Sequence, residues 1–298
     1  MNQSAEKNNR ACIHFFTGFV RIKGVLNWLA ISFFGFLLGI TSFDITSIIF
    51  PFCIFVISTF FILAFTFAIN NYYDIDTDKE NPRRATLNAI ASGTITKYTG
   101  KIFNLIFIII PLVLTFLYAW TVFVFCAALI VWMWMYSAPP LRLKSRPGVD
   151  LLWHFIAFLA LVLWGSYIAG SVTLINVIAA VSIGLFGCFA QIDNHIQDYL
   201  FDKASGAKTF AVWVGLHSAH HSLIVTFILY LVSLLPLSIL FSVSLPLTIL
   251  LIGGGILGSM LLITIKKSTL TPALYIIIIF VGGAVYLNCL IYHLSSIL

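Results

Sequence analysis

Apolar runs long enough to cross a bilayer recur along this chain, and they limit the folds open to it. A membrane-spanning helix needs about 20 mostly apolar residues. Runs of that kind lie near 25–43, 47–69, 102–118, 120–136, 151–169, 174–194, 220–240, 244–265 and 271–292. The third and fourth are divided at Trp120 and Thr121, because 102–136 as one helix would measure roughly 50 Å against a hydrocarbon core of about 30 Å. Charged residues make up only 9% of the 298, against roughly 25% in a soluble domain, so lipid is the solvent for most of the surface. The expected fold class is all-α: a polytopic membrane helical bundle of about nine transmembrane helices. It forms a single domain over 1–298 with a polar, basic N-terminal segment, 1–24. The first apolar run begins near Val25 and several more follow, so it reads as a first span and not as a cleaved signal peptide.

Charge placement supports this map. With the N-terminus inside, the loops that carry basic residues all fall on one face: Lys7, Arg10, Arg21 and Lys23; Lys79, Arg83, Arg84, Lys97 and Lys101; Arg142, Lys144 and Arg146; Lys203 and Lys208; Lys266 and Lys267. These are all 16 basic residues of the chain, as a positive-inside orientation requires. The expectation is an integral, multi-pass membrane protein with its N-terminus and active-site loops in the cytoplasm and the lipid bilayer as its surroundings. The net charge of +6 follows from that orientation. No basic stripe with interleaved aromatics is present, and nucleic acid is not an expected partner. Of the five cysteines, four lie inside apolar runs and none forms a C-x-x-C pair, so they read as small buried hydrophobes.

The acidic residues are as one-sided as the basic ones. Nine of the ten fall on the same face, and only Asp44 on the other. Most belong to two clusters. After the second span the chain reads Asn70-Asn71-Tyr72-Tyr73-Asp74-Ile75-Asp76-Thr77-Asp78-Lys79, and after the sixth Asn194-His195-Ile196-Gln197-Asp198-Tyr199-Leu200-Phe201-Asp202-Lys203. Both contain N-x-x-x-D-x-x-x-D-K, offset by 124 residues. Four-residue spacing puts Asn70, Asp74 and Asp78 on one helical face, and likewise Asn194, Asp198 and Asp202. Stacked carboxylates repel one another and lose water near a membrane, so something positive must compensate. Hard oxygen ligands suit Mg²⁺, which commonly binds one or two carboxylates together with substrate phosphates and water. Four aspartates and a diphosphate would make a cage for two such ions. One cluster of this kind alone would read as helix-end charges in water, paired with nearby Lys or Arg.

A third segment suits phosphate. Tyr136-Ser137-Ala138-Pro139-Pro140-Leu141-Arg142-Leu143-Lys144-Ser145-Arg146-Pro147 follows the fourth span. Its prolines keep the backbone extended, and guanidinium groups match phosphate oxygens. Alone, it would be an ordinary basic loop.

With these residues in view, the chain resembles the UbiA family of intramembrane prenyltransferases. The first cluster resembles the family's N-D-x-x-D-x-x-x-D signature. The second, followed by Gly206-Ala207-Lys208-Thr209, resembles its D-x-x-x-D signature, and Tyr136–Pro147 resembles its Y-S-x-P-P-x-R-x-K segment. The resemblance implies a helical bundle with a central cavity open sideways to lipid. It also implies Mg²⁺-dependent transfer of a prenyl group from a prenyl diphosphate to a lipophilic acceptor. It gives Asn70, Asp74, Asp78, Asp198 and Asp202 the metal–diphosphate role, the four aspartates being catalytic. Asn70, Asn71, Tyr136, Arg142, Lys144 and Lys208 fall on the diphosphate. Two positions depart from the family pattern. Asn71 stands where the family usually has Asp, and Asn88, in Asn88-Ala89-Ile90-Ala91-Ser92-Gly93, stands for the Arg of R-P-x-x-S-G, with Arg83 or Arg84 nearby to substitute. His195 and Asp193, beside the second cluster, are candidates to take a proton or to close a helix end.

Other readings remain open at this stage. A prenyl diphosphate cyclase could use the same scaffold. A CDP-alcohol phosphotransferase would also use metal-binding aspartates, but its D-G-x-x-A-R segment is missing. A divalent-cation transporter would place its ionisable groups near the bilayer midplane, whereas these sit at helix ends.

Overall fold

The apolar runs form helices. The computed structural model describes residues 12–80, 82–240, 253 and 267–298. Its long helices are α1 (Ile22–Gly39) and α2 (Ile45–Tyr73), then, after the short α3 (Ile75–Lys79) and α4 (Pro82–Leu87), α5 (Lys97–Tyr118) and α6 (Trp120–Ser137). α7 (Val149–Ala169) and α8 (Leu174–Gln197) follow, then the short α9 (Tyr199–Ala204) and α10 (Phe210–Val214), and then α11 (Leu216–Leu240). The last described stretch joins α12 (Lys267–Ile277), a π-helical turn (Ile278–Gly282) and α13 (Gly283–Ser295). Eight helices among the described residues are long and apolar enough to span a membrane, the eighth being Thr271–Ser295. Of the expected span 244–265, only Gly253 is among the described residues. β-type backbone pairing among the described residues is an isolated bridge between Ile40 and Gly170.

Local chemistry sets the helix ends. Thr96 caps α5, its hydroxyl accepting the Thr99 amide at 3.0 Å, which satisfies a donor the helix cannot. α5 and α6 are separated at Ala119, whose φ of −163° and ψ of 137° are extended. Thr173 and Asn176 form a reciprocal cap at the start of α8. The 29 residues of α2 measure about 44 Å, more than the roughly 30 Å hydrocarbon core, so this helix has turns to spare for a polar end.

The chain divides into two compact units. One takes Met1–Phe33 and Ile49–Leu143, the other Phe34–Ile48 and Lys144–Leu298. In the first, a π-helical turn (Phe15–Phe19) packs its rings on α5, with Phe15 and Phe103 centroids 4.7 Å apart, and Trp28 of α1 meets Phe67 of α2 at 5.5 Å. In the second, helix backbones touch. A Cβ on Gly35 would come within 2.0 Å of the Val162 carbonyl oxygen, and one on Gly187 within 3.0 Å of that of His154. Small residues allow such approach where lipid offers helices no hydrophobic drive to associate. Polar side chains secure it: Ser166 Oγ donates to the Gly35 carbonyl at 2.8 Å, and Asn176 Nδ2 to that of Leu38 at 3.1 Å.

Candidate active site

The first unit gathers its polar residues where α2 ends. The four-residue spacing predicts one continuous face, but the helix stops at Tyr73 and resumes at Ile75. Asp74 sits in the bend with φ −101° and ψ 8°. The backbone still bonds across it, Asp78 N donating to Asp74 O at 2.7 Å. Asp74 remains half-buried while Asp78 is only 5% exposed. Burial pushes the Asp78 carboxyl above its ordinary range. The charge of Asp74 adds to that shift, while the Asn88 hydrogen bond and the Arg21 and Arg84 charges oppose it.

Asn88, one of the two departures, is what holds Asp78. Its Nδ2 donates to Asp78 Oδ2 at 2.8 Å and to the Asn71 carbonyl at 2.9 Å. Its Oδ1 accepts the amides of Ile90 and Ala91 at 3.0 and 3.2 Å, an Asx turn that fixes the side chain. Of the cations offered in its place, Arg84 lends charge to Asp78, and the Arg83 side chain lies outside the described residues.

Asn71, the other departure, is fully buried. Its Nδ2 donates to the carbonyls of Gly18 and Phe19 at 2.7 and 3.1 Å, and its Oδ1 accepts Arg21 Nη2 at 2.7 Å. That engages both amide hydrogens and the oxygen, so Asn71 reaches the site through Arg21. The guanidinium of Arg21 is close enough to feel the charges of Asp78, Asp74 and Arg84 and the Tyr136 side chain. Burial is the larger influence and holds it below its ordinary value.

The end of α6 completes this side. Ser137 Oγ donates to Asn70 Oδ1 at 3.2 Å, and Arg142 Nη2 meets Asp74 Oδ1 at 3.1 Å. Arg142 Nε is buried with no hydrogen-bond partner among the described residues. Arg21 (φ 53°) and Arg142 (φ 38°) are the two non-glycine residues with positive φ among those described. Such a conformation persists only where surroundings enforce it, and it clusters at functional sites. Here both strained arginines turn their charge toward one carboxylate pair. Lys144 stands in the short 3-10 turn Leu143–Ser145 that follows.

The second unit repeats the bend. α8 stops at Gln197, Asp198 has φ −90° and ψ 1°, and α9 begins at Tyr199. Asp202 N donates to Asp198 O at 2.8 Å. Asp198 is half-buried, Asp202 is 4% exposed and Lys208 is exposed. His195 is buried, its Nε2 3.3 Å from Asp150 Oδ2 of α7 and 2.8 Å from the Gln191 side-chain nitrogen. Asp193 is buried too, accepting from Gln197 Nε2 at 2.7 Å and from Tyr275 Oη at 3.3 Å.

No three His, Cys, Asp or Glu side chains among the described residues converge as a protein-only metal cage. Mg²⁺ does not require one, because it takes one or two carboxylates and completes its octahedron with water and phosphate. A buried Asp78 beside Asp74, with its proton affinity raised by burial and by that neighbour, is an oxygen pair that a hard cation suits. Sequence reasoning singled out the aspartates and Arg142. It missed Arg21, counted only among the basic loop residues, and Asp150, whose signal was an acidic residue at the edge of an apolar run.

The chain is 29% identical over 184 residues to a lycopene elongase/hydratase of Corynebacterium glutamicum, covering 59% of this chain and 64% of that protein. It is 26% identical over 148 residues to a digeranylgeranylglyceryl phosphate synthase of Pyrococcus horikoshii, covering 49% and 50%. The aligned segments thus span less than two thirds of either relative. Among solved structures, a UbiA homologue of Archaeoglobus fulgidus bound to GPP and Mg²⁺ superposes with a TM-score of 0.70 at 21% identity, over 95% of this chain and 99% of that one. A UbiA homologue of Aeropyrum pernix K1 in its apo form gives 0.68 at 17%, over 94% and 100%. These share the fold. The profile of the UbiA prenyltransferase family matches residues 26–291, nearly the whole chain, and the protein belongs to that family.

Proposed function

We propose that the protein transfers a prenyl group from a prenyl diphosphate to a lipophilic acceptor within the membrane, using Mg²⁺. The observation that carries this reading is the repeated bend. At the ends of two membrane helices, 124 residues apart, a half-buried aspartate in the bend is followed four residues later by a buried one. In the first repeat two strained arginines attend the pair. The names of the relatives point to the same chemistry, since digeranylgeranylglyceryl phosphate synthase and a UbiA homologue bound to GPP and Mg²⁺ are among them.

In this reading Asn70, Asp74, Asp78, Asp198 and Asp202 hold Mg²⁺, two ions in all. The bound metal supplies positive charge to the leaving diphosphate. Arg142 and Arg21 bind and orient the phosphate oxygens, and Tyr136, Lys144 and Lys208 add donors from their loops. Asn71 serves by aiming Arg21. The allylic carbon–oxygen bond breaks with its electron pair leaving on the diphosphate. The acceptor attacks the resulting carbocation and then loses a proton. Both motifs are placed on the cytoplasmic face, where the basic residues collect.

The test is to incubate purified protein in detergent with labelled geranylgeranyl diphosphate, Mg²⁺ and a membrane lipid extract, and to identify the labelled product. A labelled lipid conjugate formed only with Mg²⁺ is expected. A labelled cyclic hydrocarbon formed without lipid extract would replace transfer by cyclisation.

A further inference from the structure

The residue that follows the first asparagine of each motif behaves alike in both halves. Asn71 and His195 stand 124 apart, as the motifs do. Both are buried, at 0% and 7% exposure, whereas Asn194 is exposed and Asn70, Asp74 and Asp198 are half-buried. Each reaches the start of the long helix that precedes its own motif helix. Asn71 takes Arg21, the residue before α1. His195 meets Asp150, the second residue of α7. The residue just before each of those helices has a left-handed backbone, φ 53° at Arg21 and 82° at Gly148. The same internal tie is thus built twice, with a cation and an amide in one half and a carboxylate and an imidazole in the other.

We propose that His195 is a positioning residue: through its contact with buried Asp150 it holds the last turn of α8 and so sets the direction of Asp198. Asp198 ends that turn, its amide bonding to Asn194 O at 3.0 Å. Asp150 is fully buried, and a buried carboxylate needs a donor to be tolerated there. The His195 ring, brought close by α7–α8 packing at Gly184 and Gly187, lies 3.3 Å from that carboxylate, and the Gln191 amide nitrogen sits 2.8 Å from the same ring nitrogen. Without the ring, Asp150 stays buried and the last turn of α8 loses its contact with it, leaving Gln191, one turn earlier on the same helix, as the side chain of α8 bonded to Asp150.

The inference rests on Asp198 being a metal ligand, as the proposed function has it. It is tested on the full chain in detergent by following the melting temperature against Mg²⁺ concentration with geranylgeranyl diphosphate present, since a ligand that binds only the folded protein raises the melting temperature by mass action. His195→Ala should shift the Mg²⁺ midpoint up by about tenfold, the low end of what outer partners of a metal ligand are worth. His195→Gln, whose amide nitrogen can replace Nε2, should return most of the shift. Asp150→Asn, which keeps the shape and removes the charge, should give a smaller shift in the same direction and covers the case in which His195→Ala does not fold. An unchanged midpoint in both His195→Ala and Asp150→Asn would overturn the proposal, as would a glutamine variant no better than the alanine one. A wild type that responds to Mg²⁺ in this way but yields no labelled lipid defeats the transfer reading alone, and one that does not respond at all defeats both.

Discussion

Two arginines in left-handed backbone carry the argument at the scale of residues. For an L-residue that conformation costs roughly 1–2 kcal/mol, so strain and charge make opposite predictions at the same position. Arg142→Gly should relieve the strain and leave the melting temperature unchanged or raised, yet lose the guanidinium at Asp74. Arg142→Ala and Arg21→Ala should each weaken binding of a non-hydrolysable prenyl diphosphate analogue by about 1.5–3 kcal/mol, the worth of a charge-assisted hydrogen bond. Titration of the analogue onto the three variants checks this, and unchanged affinity in all of them would return both arginines to a purely structural role. Arg142 was legible because its proline-flanked segment is local. Arg21 was not, because its partner Asn71 lies 50 residues away, and no pattern around either residue announces the pairing. Asn88 was legible only as a departure from the family pattern. Its turn and its bond to Asp78 give that departure a physical purpose.

At the scale of elements, hydropathy located the described helices well because lipid imposes one constraint on each of them. The runs expected at 102–118, 120–136 and 174–194 are the helices Lys97–Tyr118, Trp120–Ser137 and Leu174–Gln197. Errors gather at polar ends. α11 begins at Leu216, four residues before the expected run, because His217, Ser218 and His220 lower the hydropathy without breaking the helix. The bends at Asp74 and Asp198 were not legible, since four-residue spacing is the same on either side of a one-residue break. Helix-to-helix distance was hidden too, although glycines hint at it. Gly35→Ala would drive a Cβ to 2.0 Å from the Val162 carbonyl oxygen, a backbone atom that cannot rotate away. Overpacking of that kind costs typically about 1–3 kcal/mol, and a lower melting temperature in detergent is expected. Gly283→Ala is the control. It lies in a helix with nothing within 4 Å of its new Cβ, where alanine is favoured by roughly 0.5–1 kcal/mol. Equal melting of the two variants would contradict the close packing of α1 on α7.

At the scale of the whole molecule, the 124-residue repeat gives each half a bent carboxylate motif, and the one-sided basic residues predict that the loops of both lie in the cytoplasm. That sidedness is tested by thiol labelling in intact cells after the native cysteines are replaced, the exposed Cys12 and Cys53 above all. Cysteines at Lys97 and Arg146 should be protected from an impermeant reagent, and one at Ser42, beside the lone outer acidic residue Asp44, should react. The deeper question is whether the motifs act as one. If the diphosphate must be held by the ions of both, neither motif suffices alone. Asp74→Asn and Asp198→Asn should then each nearly abolish turnover, and the double variant should be little worse than either. Residues that work as a unit are non-additive in this way, whereas independent contributions would multiply. Asparagine conserves the shape of each bend and removes one of two neighbouring negative charges, so all three variants should fold, with melting temperatures in the absence of metal at or above wild type. Product formation against Mg²⁺ concentration, measured beside those melts, separates the cases. Near-normal turnover in Asp198→Asn would confine the chemistry to the first motif. Loss of folding in any of the three variants would instead make the aspartates ion-paired supports of the helix ends.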